Sequence, residues 1–250
     1  MSTDSVLVPA PPVPAGLSQV ERVVDTFIAP SKTFADILRS ASCWLPILLL
    51  ILSTVATGFI VDRQVGFERV YENQMQLSPR QAEQMDQLPP EQKPAIVART
   101  IASYKIFTYA AAVPVLIILA IYSLVLWASF NFGLGAQTSF AQVFAVSMYA
   151  ALPYLIQALL VAITLSFGDN AESFDLKNPV GTNLAYYLPD AAPVLKGLMQ
   201  SLDIIKLWSV VLQVLGMAII AKKSITQSAV IVGIFWLIGV VFTIVGAIFS

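Results

Sequence analysis

The chain contains no histidine, a single cysteine and few charges. Without histidine it lacks the commonest general base and the commonest neutral metal ligand. Cys43 alone excludes an internal disulfide and a thiolate zinc cluster. Charged residues make up 12% of the 250 positions, about half the share of a soluble domain. Apolar residues make up 57%, and the mean hydropathy is +0.77. So little polar surface cannot wet a globule, and the bilayer is the expected solvent. A net charge of −1 gives no electrostatic case for nucleic acid. No P-loop, dinucleotide fingerprint, G-x-S-x-G or H-E-x-x-H occurs, and no cofactor or metal is implied.

The charges that do occur are unevenly spread. Ile106 to Gly168 is a run of 63 residues without one Asp, Glu, Lys or Arg. A span takes about 20 apolar residues, because roughly 30 Å of hydrocarbon divides by 1.5 Å of rise per residue. The run therefore holds two spans, broken at the polar, glycine-bearing stretch Asn131 to Ser139. Trp44 to Val61 is a further uncharged run of 18, and Ser228 to Phe249 one of 22. Leu207 to Ala221 has only 15, and reaches span length if the helix starts at Leu202 with Asp203 and Lys206 near the headgroups. The runs are continuous rather than alternating, which excludes a barrel, and only helices then satisfy the backbone inside lipid. The expected architecture is an all-α polytopic transmembrane helix bundle with five spans, near 44–61, 106–130, 140–167, 202–221 and 228–249.

Outside the spans, residues 1–16 hold four prolines in six positions and read as a flexible tail. The stretch 17–43 reads as two short amphipathic helices. Ser18-Gln19-Val20-Glu21 matches a capping box. Leu17, Val20, Val24 and Phe27 recur at helical spacing with Glu21, Arg22 and Asp25 between them, and Phe34, Ile37, Leu38 and Ala41 share a face after Pro30. Such helices lie on the membrane surface or pack on the bundle. Residues 44–250 form one transmembrane domain with two polar loops, 62–105 and 168–201. The first, with six acids and six bases, reads as short surface helices, with a second capping box at Ser78-Pro79-Arg80-Gln81 and breaks at Pro89, Pro90 and Pro94. In the second, 192–202 is apolar enough to lie in the interface. No removable signal peptide is evident, since Asp4, Glu21, Asp25 and Asp36 precede the first apolar run.

A raw count of bases, five on the side of the N-terminus against eight opposite, disfavours a cytoplasmic N-terminus. The positive-inside rule, however, is a rule for short loops. The shortest charged loop carries Lys222-Lys223 and no acid. It favours a cytoplasmic N-terminus and an outside C-terminus.

Four features can carry a mechanism. Gln142, Tyr149, Pro153 and Gln157 fall at spacings of 7, 4 and 4 on one face of the third span, with Gln213 of the fourth as a partner. Polar glue between helices and a substrate path both fit that stripe. Pro114 and Pro153 each remove a backbone hydrogen bond in mid-span. Asp203 and Lys206 are three apart and can pair near the start of the fourth span. Gly239, Thr243, Gly246 and Ser250 form a stripe of small residues along the fifth, suited to close packing or to self-association. The lone thiol of Cys43 beside Trp44 reads as packing. Intramembrane catalysis is disfavoured, because the spans hold no histidine and Asp203 is their only carboxylate.

The chain resembles the Yip family (Ypt-interacting proteins) from about Phe27 onward. The stretches that carry the resemblance are Phe27-Ile28-Ala29-Pro30 with Thr33-Phe34, then Trp44-Leu45-Pro46. Thr138-Ser139-Phe140 leading to Tyr149-Ala150-Ala151-Leu152-Pro153 follows, then Leu202-Asp203-Ile204 with Trp208. The resemblance implies a five-span membrane protein with a cytosolic N-terminus, an adaptor rather than a catalyst. Its partners would be the lipid bilayer, other membrane proteins or a second copy of itself. Eukaryotic members bind Rab-type GTPases in traffic between the endoplasmic reticulum and the Golgi and usually carry a cytosolic N-terminal domain longer than the 43 residues here, a departure that makes GTPase binding doubtful. The compact form resembles the prokaryotic branch and implies the plasma (inner) membrane. Tyr149, Pro153 and Asp203 stand at family-like positions. The functional expectation is a membrane scaffold or adaptor, with a small transporter or permease component using the polar stripe as the alternative.

Overall fold

The structure, a computed structural model, describes residues 16–168 and 171–249. The expected proline-rich tail therefore lies outside the described residues, except for Gly16, as does Ser250. The elements in chain order are α1 Gln19–Ile28, α2 Pro30–Ile37, α3 Trp44–Gln64, α4 Phe67–Leu77, α5 Pro79–Asp86, α6 Lys93–Ala110 and α7 Ala112–Ala128. Then come a π-helical turn Ser129–Gly133, α8 Phe140–Ala150, α9 Pro153–Phe167, α10 Pro193–Ser201, α11 Ile204–Ala221 and α12 Ile225–Phe249. Two short 3-10 turns, Ala171–Ser173 and Leu184–Tyr186, lie between α9 and α10. Every regular element among the described residues is helical.

Five helices are long and apolar enough to cross a membrane: Trp44–Gln64, Ala112–Gly133, Phe140–Phe167, Ile204–Ala221 and Ile225–Ile248. These match the five expected runs, and the largest shift at any end is at the start of the second. The second span starts at Ala112 rather than Ile106. Pro114 has no N–H to give Ala110, so the helix breaks one turn earlier, at Ala111, and restarts with Val115 N–H on Ala111 O at 3.1 Å. The residues before the break belong to α6, an 18-residue helix that packs on α3 where only short surface helices were expected. Pro94 does not interrupt α6 but opens it. The third span is broken in the same way at Ala151 and Leu152. There Pro153 starts α9, and Leu152 N–H and Leu155 N–H close tighter turns on Tyr149 O and Leu152 O.

The Ser18 capping box forms, with Glu21 N–H on Ser18 Oγ at 3.2 Å and Ser18 N–H on Glu21 Oε2 at 2.7 Å. The one expected at Ser78 does not. The Ser78 hydroxyl is buried and accepts instead from Gln74 Nε2 at 2.7 Å, leaving α5 without a side-chain cap.

The main core joins the second to fifth spans to the N-terminal hairpin. Phe34 and Ile37 of α2 are fully buried among Leu126 and Phe130, Val143 and Val146, Leu212 and Met217, and Val232. Between spans in lipid such a core is held by van der Waals packing rather than by transfer from water. Gly216 makes the close approach of α11 possible: a Cβ there would stand 2.5 Å from Val146 Cγ1 and 3.0 Å from the Phe34 ring. A second cluster, with Val61, Phe67 and Val70 against Val161, Leu165, Phe174 and Val180, ties α4 and the 168–201 segment to the far ends of α3 and α9.

Candidate functional site

The N-terminal hairpin packs on the bundle. α2 runs beside α11, and Phe27 at the end of α1 meets Trp208 in the first turns of α11, edge-on with ring centroids 5.6 Å apart. At its other end, Leu38 shares a cleft with Ile220 and Ala221. The hairpin thus lies along α11.

Amphipathic periodicity puts Arg22 on the polar, outward face of α1. The structure reverses this. Arg22 is 1% exposed, whereas Val20, Val24 and Ile28 are 64%, 50% and 74% exposed. A buried guanidinium is tolerated only when its donors are spent, and here they are. Arg22 Nε donates to Asp36 Oδ2 at 2.7 Å, and Nη2 lies 2.6 Å from the same oxygen. Nη1 donates to the carbonyls of Ser40 and Ser42 at 2.8 and 2.9 Å. The Arg22 carbonyl accepts from Thr26 and Thr33 hydroxyls at 2.7 and 2.9 Å. One residue therefore closes α1 on α2 and fixes the chain that leads into α3.

Asp36 is shared with Arg39, whose Nε donates to Oδ1 at 2.8 Å. That hydrogen bond is the largest influence on the Asp36 carboxyl. Burial opposes it, but with the help of Arg22 it holds the group below the usual carboxylate range. Tyr149 completes the network. Its hydroxyl donates to Gln19 Oε1 at 2.9 Å and reaches Ser42 O at 3.3 Å, while Gln19 Nε2 donates to the same carbonyl at 3.3 Å.

A second polar knot forms at Asp203, the N-cap of α11. One carboxylate oxygen accepts from Ile205 and Lys206 N–H at 2.9 and 3.2 Å, and the other takes the Thr182 hydroxyl and Asn183 Nδ2. Burial pushes this carboxyl up, and the four hydrogen bonds outweigh it, holding it below its ordinary value. The expected side-chain pairing of Asp203 with Lys206 is not among the ion pairs of the described residues, because the carboxylate is taken up by the Lys206 backbone N–H and its other cap partners. The Lys206 ammonium itself donates to Gln200 O at 3.1 Å.

The remaining residues of the third-span stripe do separate things. Gln142 forms a capping box with Ser139, its Oε1 accepting Ser139 N–H at 3.0 Å. Pro153 is buried at the break, and Gln157 is half-buried. Gln213 is buried, and its Nε2 has no hydrogen-bond partner among the described residues. On α12, Gly239 and Gly246 face open space, with no atom within 4 Å of where a Cβ would stand, and the Thr243 hydroxyl bonds back to Gly239 O at 3.0 Å. The close helix approach to α12 comes from α10, where a Cβ on Gly197 would stand 2.7 Å from Ile244 Cα.

Gln19, Arg22 and Asp36 are not among the residues expected to form a site. The available signal is the pairing of a lone arginine on one short helix with an acid on the next. Among the described residues no group of three His, Cys, Asp or Glu side chains is placed to hold a metal. In the clasp the donors are committed to holding segments together. The family model described as the Yip1 domain matches residues 24–246. No curated protein and no solved structure matches the chain.

Proposed function

This chain belongs to the Yip1 domain family, and from that premise we propose that it is a non-enzymatic membrane scaffold that recruits partner membrane proteins through its N-terminal hairpin. The observation that carries this reading is the inverted α1. Its arginine is turned inward as a clasp, and Val20, Val24 and Ile28, at i, i+4 and i+8, are turned outward. Three aliphatic anchors on a pre-fixed helix suit helix-in-groove recognition, and fixing the helix beforehand removes ordering cost from binding. Exposed Glu21, Lys32 and Arg39 on the same hairpin, with Trp44 just beyond it, suit a place at the bilayer surface.

The test is photocrosslinking in cells from position 24, followed by mild-detergent purification. Specific crosslinked membrane proteins that disappear in a Val20→Ser/Val24→Ser/Ile28→Ser variant are expected. An unchanged set of co-purifying proteins in a correctly inserted variant overturns the reading.

One observation favours a transporter as the second reading: the orphaned amide of Gln213 on α11, which asks for a polar ligand. Flux in proteoliposomes that vanishes in Gln157→Leu/Gln213→Leu would establish that role. For topology we propose a cytoplasmic N-terminus and outside C-terminus in a prokaryotic plasma membrane. Its support is the loop Lys222-Lys223-Ser224 between α11 and α12, two cations with no acid.

A further inference from the structure

Three connections meet at one end of the bundle: the end of α2, the loop between α7 and α8, and the loop between α11 and α12. They enclose a cleft of about 470 Å³ whose lining includes Leu38, Gly135, Gln137, Gln142, Lys222 and Lys223. Its lining includes two lysines and neither an Asp nor a Glu. Neither lysine has an ion-pair partner among the described residues. The loop that carries them is three residues long between two membrane-spanning helices, so it must lie at the edge of the bilayer, among headgroups.

Lys222 has a second peculiarity. It ends α11 in the left-handed conformation, at φ 52° and ψ 44°, and is the one non-glycine residue with positive φ among those described. Lys223 N–H closes on Ala218 O at 3.1 Å behind it. A helix that ends this way favours glycine at that position. A lysine there gives up backbone comfort and places a cation at the cleft. On the facing side, Gly135 has φ 63°, and Gln142, half-buried, caps α8.

We propose that this cleft is a phosphate-binding site, and that its occupant is the phosphate of an anionic phospholipid headgroup from the leaflet at this end of the bundle. Lys222 and Lys223 supply the charge, and Gln137 supplies an amide donor. The site is independent of the recruiting edge on α1.

The test uses the full chain purified in neutral detergent and transferred to micelles with equal phosphatidylcholine and phosphatidylglycerol, read by native mass spectrometry. Preferential retention of phosphatidylglycerol is expected. Each lysine near a charged surface is worth roughly a factor of five, so Lys222→Gln/Lys223→Gln should weaken retention about thirtyfold. Lys222→Gly should also weaken it, while raising the thermal midpoint because glycine suits the backbone there. Lys196→Gln, remote in the chain and outside this cleft, should leave retention unchanged. A parallel titration with inorganic phosphate in lipid-free micelles separates the two sources of the same chemistry. Saturable binding that the double variant abolishes would assign the cleft to soluble phosphate, and its absence would assign it to the headgroup. Equal retention of phosphatidylglycerol by the parent and the double variant, or an equal loss on Lys196→Gln, overturns the site.

Discussion

The Tyr149 hydroxyl donates a 2.9 Å hydrogen bond to Gln19 Oε1, joining residues 130 positions apart in the chain. Tyr149 is buried on the third span, and Gln19 opens the first helix of the hairpin. Both also hold the Ser42 carbonyl, immediately before the first span begins. Through this one oxygen, the entry to the membrane, the third span and the N-terminal hairpin share a fixed geometry. Under the proposed recruiting role, holding the hairpin in this way would spare the ordering cost at each encounter.

Arg22→Met tests the clasp. The substitution keeps an unbranched apolar stem but leaves Asp36 with Arg39 alone, removes the donor on the Ser40 carbonyl and leaves the Ser42 carbonyl to Gln19 and Tyr149. Removing one partner of a buried ion pair costs about 3 kcal/mol or more. Arg22→Lys should recover only part of this, because an ammonium cannot match the fork of three separate acceptors. Tyr149→Phe should cost about 1 kcal/mol. Unfolding in mixed micelles with increasing sodium dodecyl sulfate measures all three. An unshifted midpoint in Arg22→Met would show the clasp to be energetically idle.

Acid should release the hairpin. The Asp36 carboxyl lies below its ordinary value when folded, because it accepts first from Arg39 and also from Arg22. A carboxyl depressed on folding contributes stability above its unfolded pKa, and that contribution is lost as pH falls through the folded one. A nitroxide at Val24→Cys, in a Cys43→Ser background, should be immobile at neutral pH. Its mobility should rise below about pH 4, the ordinary carboxylate range. In Asp36→Asn the label should be mobile throughout and insensitive to pH. Glu21 in the α1 capping box and Asp203 at the start of α11 are depressed as well, so loss of the pH response in Asp36→Asn is what assigns the release to Asp36.

The spans are legible because a long uncharged run has only one stable form in lipid, and the third falls at 140–167 to the residue. The N-terminal hairpin is legible as two helices but not in its facing. Amphipathic reading sends charge to water, and that rule fails at Arg22 because its N–H donors find acceptors no more than 20 positions along the chain. The stripe from Gln142 to Gln157 reads as one surface, yet Ser139-Phe140-Ala141-Gln142 is itself an S-x-x-Q capping box of the kind evident at Ser18. Gln142 is spent on that cap. Contacts between α10 and α12 have no signal in the sequence, since a glycine such as Gly197 announces a close approach only once its neighbour is known.

Glycine substitutions should split by sign. Gly216→Ala forces a Cβ to 2.5 Å from Val146, and Gly197→Ala forces one to 2.7 Å from the Ile244 backbone. Overpacking of this kind costs about 1–3 kcal/mol. Gly239→Ala and Gly246→Ala meet nothing within 4 Å and should stabilise α12 by up to about 1 kcal/mol through helix propensity. Thermal midpoints in detergent decide the sign. Crosslinked dimer yield on the same four variants tests self-association: a loss confined to Gly239→Ala and Gly246→Ala would assign the open face of α12 to a second copy of the chain.

Topology follows from two cysteines placed on opposite sides of the bundle. Thr226→Cys stands three residues beyond Lys223 on an exposed position at the start of α12, and Glu91→Cys is exposed in the segment between the first and second spans. Both belong in a Cys43→Ser background, although burial already pushes the Cys43 thiol up and away from the reactive thiolate. An impermeant maleimide on intact cells should label position 91 and spare position 226 until the membrane is opened. Labelling of position 226 in intact cells would reverse the orientation. It would place the N-terminal hairpin and the Lys222–Lys223 cleft on the outer face, where the cytoplasmic excess of anionic lipid is absent. The occupant of the cleft would then have to come from the other leaflet's headgroups.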